Sequence, residues 1–236
     1  ISLWNTMTKE YDGWELHYFD EAYNFRTYQF KIINEFINGK TAEVGPGTGE
    51  NINYYLHKTK SLDLFEPSKK VFGVLKEKTH NKPNVQFFNK EFLNHKGKYD
   101  SIIYLDVLEH IEHDQKEFLN AFSNLNDGGH LIVNVPAFNF LYSKFDKDFG
   151  HYKRYNKADF KKFIEQLKPT FSKLIYYDSI GFLLIVLSKI LFSSDYSNIG
   201  EKVIFWNKLI PLSRIIDLIT FFSFGKSLLC IIKKWY

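Results

Sequence analysis

The sequence predicts a single α/β domain built on a mostly parallel, seven-stranded sheet with helices on both faces. Three observations support this fold class. Short apolar segments alternate with helical ones, a glycine-rich turn follows the first apolar segment, and polar residues suited to ligand binding recur at segment ends. With 236 residues, 44% of them hydrophobic and 25% charged, the chain can also bury a sizeable core.

The predicted elements follow in chain order. Strands are expected at residues 41–44, 61–65, 84–88, 101–105, 130–135, 171–177 and 227–233, where the segments are short and apolar. Helices are expected at residues 49–57, 67–78, 115–126 and 157–166. Ligands of such sheets bind beyond the carboxyl ends of the strands, so we expect the functional residues to gather there.

Charge and cysteine content limit the partners and the compartment. The net charge of +4 resides entirely in residues 180–236, and residues 1–179 are neutral. A neutral body argues against nucleic-acid binding, whereas the basic tail suits an anionic membrane. The single cysteine, Cys230, excludes an internal disulfide and favours a reducing, cytoplasmic location, with association at the inner membrane face as a further expectation.

Two apolar helical segments, residues 182–192 and 203–222, lie between the last two predicted strands. Neither is an uninterrupted membrane span, since Pro211, Arg214 and Asp217 break the second. A thin polar stripe marks the second segment: Asn207, Arg214, Asp217 and Thr220. The segment therefore either packs against the protein or exposes an apolar face to lipid or a partner.

The first 39 residues form a separate helical region rich in aromatic side chains: Trp4, Tyr11, Trp14, Tyr18, Phe19, Tyr23 and Phe25. One interpretation is a helix packed on the sheet. The other is a lid that covers the ligand and excludes water.

The turn after the first strand contains Gly45, Gly47 and Gly49, and glycines let a ligand approach the backbone closely. A dinucleotide fingerprint would place its third glycine at the position of Glu50. Glu66, at the end of the second strand, follows Gly45 by 21 positions and is placed to accept hydrogen bonds from both hydroxyls of a ribose. Together, the glycine turn and Glu66 predict a nucleoside-containing cofactor.

Further motifs follow in order: E-V-G-P-G-T-G, L-F-E-P, Y-D-S-I-I, D-V-L-E-H-I and L-x-x-G-G-x-L-I-V-x-V-P. From Thr41 to Pro136 this succession resembles the class I S-adenosylmethionine-dependent methyltransferases. The resemblance implies a Rossmann-like sheet whose last strand is antiparallel to the sixth. It also implies S-adenosyl-L-methionine as the cofactor and S-adenosyl-L-homocysteine as the product.

The resemblance also implies a cofactor site. Its residues would be Glu43, Gly45, Pro46, Gly47, Thr48 and Gly49 for the methionine part, Glu66 and Pro67 for the ribose, Glu91 and Phe92 for the adenine, and Asp106 and Val107 from the fourth strand end. Glu91 departs from the aspartate usual in the family. On the same basis, residues 1–236 would be one methyltransferase domain, with a lid (1–39), a cofactor-binding core (40–179), a helical insert (180–226) and a last strand (227–236).

A second signature, Y-S-x-x-D-x-x-x-G-H-x-x-R-Y, spans Tyr142 to Tyr155. It resembles a subset of these enzymes associated with lipid or surface-glycan pathways. His151 is the first candidate for a general base, with His110 and Tyr155 behind it. The alternative is a hydrogen-bonded loop that only shapes the pocket. No metal site is expected, because His110-x-x-His113 is better explained as a solvated helix start.

The expected activity is methyl transfer to an oxygen, less favourably to nitrogen or carbon, of a hydrophobic, lipid-linked or glycan-linked acceptor. A small soluble metabolite is the second choice of acceptor. Two alternatives belong to other classes: a non-catalytic, membrane-associated binding protein and a nicotinamide-dependent oxidoreductase on a similar sheet. The sequence leaves the oligomeric state open.

Overall fold

The computed structural model describes residues 16–19, 21–191 and 198–235. The strands are β1 Gly39–Val44, β2 Thr59–Phe65, β3 Val85–Phe88, β4 Tyr99–Leu105, β5 Leu125–Pro136, β6 Phe171–Tyr177 and β7 Ser227–Lys233. The helices are α1 Tyr23–Ile33, α2 Ile52–Tyr55, α3 Lys69–Thr79, α4 Asp114–Ser123, α5 Lys144–Asp148, α6 Lys157–Leu167, α7 Ser179–Leu191 and α8 Ile199–Ile219. Short 3-10 turns link several of them.

All seven strands form one sheet in the order β3-β2-β1-β4-β5-β7-β6. The β7 strand runs antiparallel to both of its neighbours, and the other pairs are parallel. The predicted fold class is therefore confirmed. The strand order reverses between β1 and β4, and sheets of this type bind ligands in the crevice beyond the carboxyl ends of the strands at such a point.

Two predicted helices are shorter in the structure. The helix expected at 49–57 begins only at Ile52, because Gly49 has φ +88° and cannot belong to a right-handed helix. The helix expected at 115–126 ends at Ser123, because Leu125 pairs with Tyr99 and begins a strand longer than the predicted one. Sheet pairing there prevails over helical periodicity.

Buried side chains cover both faces of the sheet. One face packs against α4 and α6 through Phe118, Phe122, Phe160 and Phe163. The other face packs against α1, α2, α3 and α8, with core side chains that include Phe25, Tyr55, Leu75 and Trp206. Helices packed on both faces of the sheet therefore hold the carboxyl ends of its strands in place.

The polar stripe of the second apolar segment faces the protein. Asn207 and Asp217 of α8 are buried; Asn207 Oδ1 accepts from the backbone N–H of Phe25 at 3.0 Å. Asp217 accepts from the Tyr28 hydroxyl at 2.8 Å and from the N–H groups of Asp178 and Ser179. The segment therefore packs against the protein, as the first alternative predicted, while its other side exposes apolar side chains. Contact of that side with lipid or a partner stays a prediction. Within the described residues, no helix has the length and apolar character to cross a membrane.

The described part of the N-terminal region is anchored. In α1, Phe25 stacks on Tyr177 with ring centroids 5.9 Å apart, and Phe30 and Ile33 are buried. This helix therefore packs on the sheet, as the first interpretation predicted. Trp4, Tyr11 and Trp14 lie outside the described residues, so the lid stays a prediction.

Candidate active site

The glycine turn is built for close approach to its backbone. Gly45, Gly47 and Gly49 have φ values of +66°, +57° and +88°, which favour glycine. A Cβ atom on Gly45 would lie 2.6 Å from Cγ2 of Val107, so no side chain fits there. Val107 thus supports the turn from the β4 side of the crevice.

Two carboxylates lie at the ends of β1 and β2 beside this turn. Glu66 is buried, and its Oε1 accepts from Ser68 N–H at 2.9 Å. Burial raises the pKa of Glu66 to about 7, although hydrogen bonds from the backbone of Ser68 and Gly47 oppose the shift. Glu43 is also buried and accepts from the Tyr55 hydroxyl, and burial raises its pKa to about 7 as well.

The raised pKa of Glu66 predicts pH-dependent cofactor binding. Only the carboxylate accepts from both hydroxyls of a ribose, and below pH 7 Glu66 must first lose a proton. We therefore expect calorimetry to show S-adenosylhomocysteine binding about tenfold more tightly at pH 8 than at pH 6.

Glu66→Gln should weaken binding at pH 8 and flatten the pH profile, leaving the part due to Glu43. The matched control is Glu50→Gln, since Glu50 is an exposed acid at the end of the same turn. An unchanged pH profile in Glu66→Gln would contradict this assignment.

Asp106 occupies the end of β4 in a left-handed conformation, with φ +58°. Its Oδ1 accepts from Asn134 Nδ2 of β5 at 2.7 Å, and its Oδ2 lies 3.7 Å from Arg26 Nη1 of α1. The sequence interpretation missed Asn134 and Arg26. Two features of the sequence could have identified them. Asn134 lies at the end of the fifth predicted strand, and Arg26 is one of only three arginines in the chain, with Arg154 and Arg214.

The remaining cofactor candidates differ in what they present. Glu91 is partly exposed beyond β3, whereas Phe92 is 1% exposed and packs edge-on against Phe65 at 4.9 Å. The ring of Phe92 therefore belongs to the core. Pro46 is buried, and Thr48 and Pro67 are partly exposed near the glycine turn.

The second signature folds around one buried carboxylate. Asp146 Oδ1 accepts from Arg154 Nε at 2.7 Å and lies 3.0 Å from His151 Nδ1. Its Oδ2 accepts from the N–H of Ser143 at 2.9 Å and from the Ser143 hydroxyl at 3.0 Å. Burial acts to raise the pKa of Asp146, but the His151 hydrogen bond and the Arg154 charge outweigh it and hold the pKa at about 2. The loop is thus an ion-paired unit that orients His151.

The rings of His151 and His110 are in contact beside this loop. Their rings are perpendicular, with centroids 4.6 Å apart. Burial and the charge of His151 lower the pKa of His110 to about 3, so its imidazole is neutral, and it bonds to the backbone of Gly150. Burial, followed by the charge of Asp106, raises the pKa of Glu109 well above its usual value.

Glu109, His110 and His151 place potential ligand atoms within 4.8 Å of one another, the one such group found among the described residues. The sequence predicted no metal site, and it did not foresee this trio. Glu109 lies under opposing charges, those of Asp106 and Asp146 and that of Arg154. That no metal binds at this trio stays a prediction.

Tyr155 stands apart from the two histidines. It is 0% exposed, and its hydroxyl donates to Asp114 Oδ2 at 2.8 Å. Burial, followed by the charge of Asp114, raises its pKa far above the ordinary value. The phenol therefore lies in the core as a structural group, and we remove it from the catalytic hypothesis.

Comparisons with known proteins show which family this chain matches. A family profile described as "Methyltransferase domain" matches residues 25–168. No curated protein matches the chain significantly in sequence.

Several solved structures share the fold. The N-methyltransferase NodS of Bradyrhizobium japonicum with S-adenosyl-L-homocysteine has a TM-score of 0.60 at 13% identity, over 99% of each chain. Phosphoethanolamine N-methyltransferase 2 of Haemonchus contortus, bound to phosphomonomethylethanolamine and S-adenosylhomocysteine, has a TM-score of 0.69 at 11% identity, over 100% of this chain and 61% of its own. A Haloferax volcanii methyltransferase bound to its activator Trm112 has a TM-score of 0.65 at 12% identity, over 98% and 100%.

Proposed function

The chain belongs to the methyltransferase-domain family, and we propose that it transfers the methyl group of S-adenosylmethionine to a hydroxyl oxygen of a hydrophobic, lipid-linked or glycan-linked acceptor. The observation that carries the proposal is the contact between the oriented imidazole of His151 and His110, which follows the end of β4 where Asp106 lies. The chain is a methyltransferase, and its cofactor is S-adenosylmethionine. The oxidoreductase alternative is thereby set aside.

The residues at the crevice fit this cofactor. Glu66 would accept from the ribose hydroxyls, and the left-handed glycines of the turn would let the methionine part approach bare backbone. Arg26 supplies a cation for the methionine carboxylate, and Glu43 and Asp106 supply acceptors for its ammonium group. When bound, S-adenosylmethionine supplies a methyl carbon that is activated by its sulfonium.

His151 acts on the acceptor. In the neutral imidazole whose Nδ1–H is donated to the ionised Asp146, Nε2 carries the lone pair and can take a proton. Nε2 of His151 would take the proton that the acceptor hydroxyl loses when it is methylated. Holding and deprotonating the nucleophile are the tasks that this reaction leaves to the protein.

The surroundings of the loop favour an apolar acceptor. Phe138, Phe140 and Phe182 form a ring cluster beside the turn that leads into the signature, with centroids 5.2 to 6.3 Å apart. Phe140 is 63% exposed, which is unusual for so large an apolar side chain. The aromatic cluster supports a lipid-like acceptor over a small soluble metabolite.

The test uses methyl-labelled S-adenosylmethionine and two acceptor pools: total membrane lipid in mixed micelles and a dialysable metabolite fraction. We expect label to enter the organic phase from the lipid pool. Label confined to the metabolite pool would favour the soluble acceptor. Absence of transfer to either pool, together with no cofactor binding, would support the non-catalytic alternative.

His151→Ala should reduce this transfer by about 10²- to 10⁴-fold, the usual contribution of a general base. Its affinity for S-adenosylhomocysteine should change little, since His151 lies on the acceptor side. His113→Ala is the matched control, because His113 is exposed at the start of α4. Turnover of His151→Ala equal to that of the control would remove His151 from the mechanism.

A further inference from the structure

The outward face of α8 is an apolar stripe. We call its members the outer stripe: Ile204, Phe205, Leu212, Ile215, Leu218 and Ile219, which are 42% to 70% exposed. Most of them are separated by three, four, seven or eleven positions, so they share one side of the helix. A surface helix of a soluble protein normally shows the opposite arrangement, with its apolar side turned to the core.

The inward contacts prevent α8 from rolling this stripe into the core. Trp206 Nε1 donates to Asp178 Oδ2 at 2.8 Å, and the Ser213 hydroxyl donates to Asp178 Oδ1 at 2.9 Å. Asn207 and Asp217 add the buried hydrogen bonds to α1 and to the start of α7. A roll would break these bonds and bury unpaired polar atoms, so the outward stripe is a fixed feature of the fold.

The charges around the stripe are mainly positive. Lys208 is exposed on α8, Arg214 is partly exposed there, and Lys189 is exposed on α7. The acids of α8 are Glu201, in its first turn, and Asp217, which is 0% exposed. Basic side chains beside an apolar stripe match the phosphate groups and acyl chains at the surface of an anionic bilayer.

We propose that the outer stripe seats the enzyme on the surface of an anionic lipid bilayer, with α8 lying in the plane of the interface. Helices of this kind bury one apolar face at the boundary between headgroups and acyl chains and do not span the membrane. The absence of a membrane-spanning helix among the described residues agrees with this mode. Leu183 and Leu187 of α7, 42% and 50% exposed, widen the apolar surface.

The stripe is connected to the candidate active site. Lys189 Nζ of α7 donates to the carbonyl groups of Phe140 and Tyr142, at the entrance to the signature loop. A bilayer under α7 and α8 would therefore present its lipids near His151. This last link rests on the proposed function, whereas the docking surface does not.

Vesicle sedimentation tests the surface. The full chain is mixed with sucrose-loaded vesicles of phosphatidylglycerol or of phosphatidylcholine, and the bound fraction is measured at low and high salt. We expect firm binding to phosphatidylglycerol that weakens with salt, and at least about fivefold weaker binding after Lys208→Gln. Equal binding to both vesicle types, or none to phosphatidylglycerol, would overturn the proposal.

The double variant Phe205→Glu/Ile215→Glu should lose vesicle binding, whereas Val74→Glu, an exposed apolar site on α3, should retain it. Calorimetry with S-adenosylhomocysteine verifies that each variant is folded. Light scattering provides the second readout: a wild-type dimer that the double variant converts to a monomer would make the stripe a self-interface and overturn the proposal. Vesicle binding without methylation of lipid would leave the surface standing and reject only the proposed acceptor.

Discussion

Asp146→Asn is expected to lower kcat by about 10²- to 10⁴-fold while affinity for S-adenosylhomocysteine stays near that of the wild type. Asp146 is the acceptor that orients His151 Nδ1 and the counter-charge of the buried Arg154. An asparagine amide presents an N–H group as readily as an oxygen, so it can stabilise the tautomer in which Nε2 carries the proton. That tautomer cannot deprotonate an acceptor.

The same substitution removes the negative charge beside Arg154, whose guanidinium is 8% exposed. We expect a stability loss of about 3 kcal/mol, because an unpaired buried charge remains. Activity should therefore be measured well below the melting temperature. Asp148→Asn is the matched control, an exposed acid of the same short helix. Turnover of Asp146→Asn within threefold of that control would show that the loop only shapes the pocket.

The sequence could predict the sheet because its evidence is local. Most strands contain a short apolar run, and most of their carboxyl ends are followed by a polar residue or a glycine. Glu66 is the clearest instance, since an acid that ends an apolar strand beside a glycine turn needs a ligand or a hydrogen-bond donor to explain it. The signature loop was likewise visible as a pattern, although the central position of Asp146 in it was not.

What the sequence could not predict depends on contacts between distant segments. Arg26 lies beside Asp106 only because α1 packs on the face of the sheet, next to the end of β4. Tyr155 follows Arg154 directly, yet the chain pairing between Ala137 and Tyr155 turns its ring into the core. The orientation of α8 about its own axis is the clearest example. From the sequence alone, Asn207 and Asp217 could belong to a solvent-facing stripe, and only their partners on α1 and at the start of α7 show that they face inward.

Asp217→Ala is expected to destabilise the fold by roughly 4 kcal/mol, because three buried donors lose their acceptor. Those donors are the Tyr28 hydroxyl and the N–H groups of Asp178 and Ser179, and they belong to α1 and to the start of α7. At about 2 to 4 °C per kcal/mol for a chain of this length, the melting temperature should fall by roughly 10 °C. Urea unfolding followed by circular dichroism measures the loss.

Two comparisons separate this network from an ordinary helix contact. Glu201→Ala, an exposed acid in the first turn of α8, should cost no more than about 1 kcal/mol. Tyr28→Phe removes one donor, so in combination with Asp217→Ala it should add less than its own effect. Additive losses would mean that Asp217 does not act through Tyr28. If Asp217→Ala cost no more than Glu201→Ala, α8 would be held by its apolar contacts alone, and the outward orientation of the stripe would lose its physical cause.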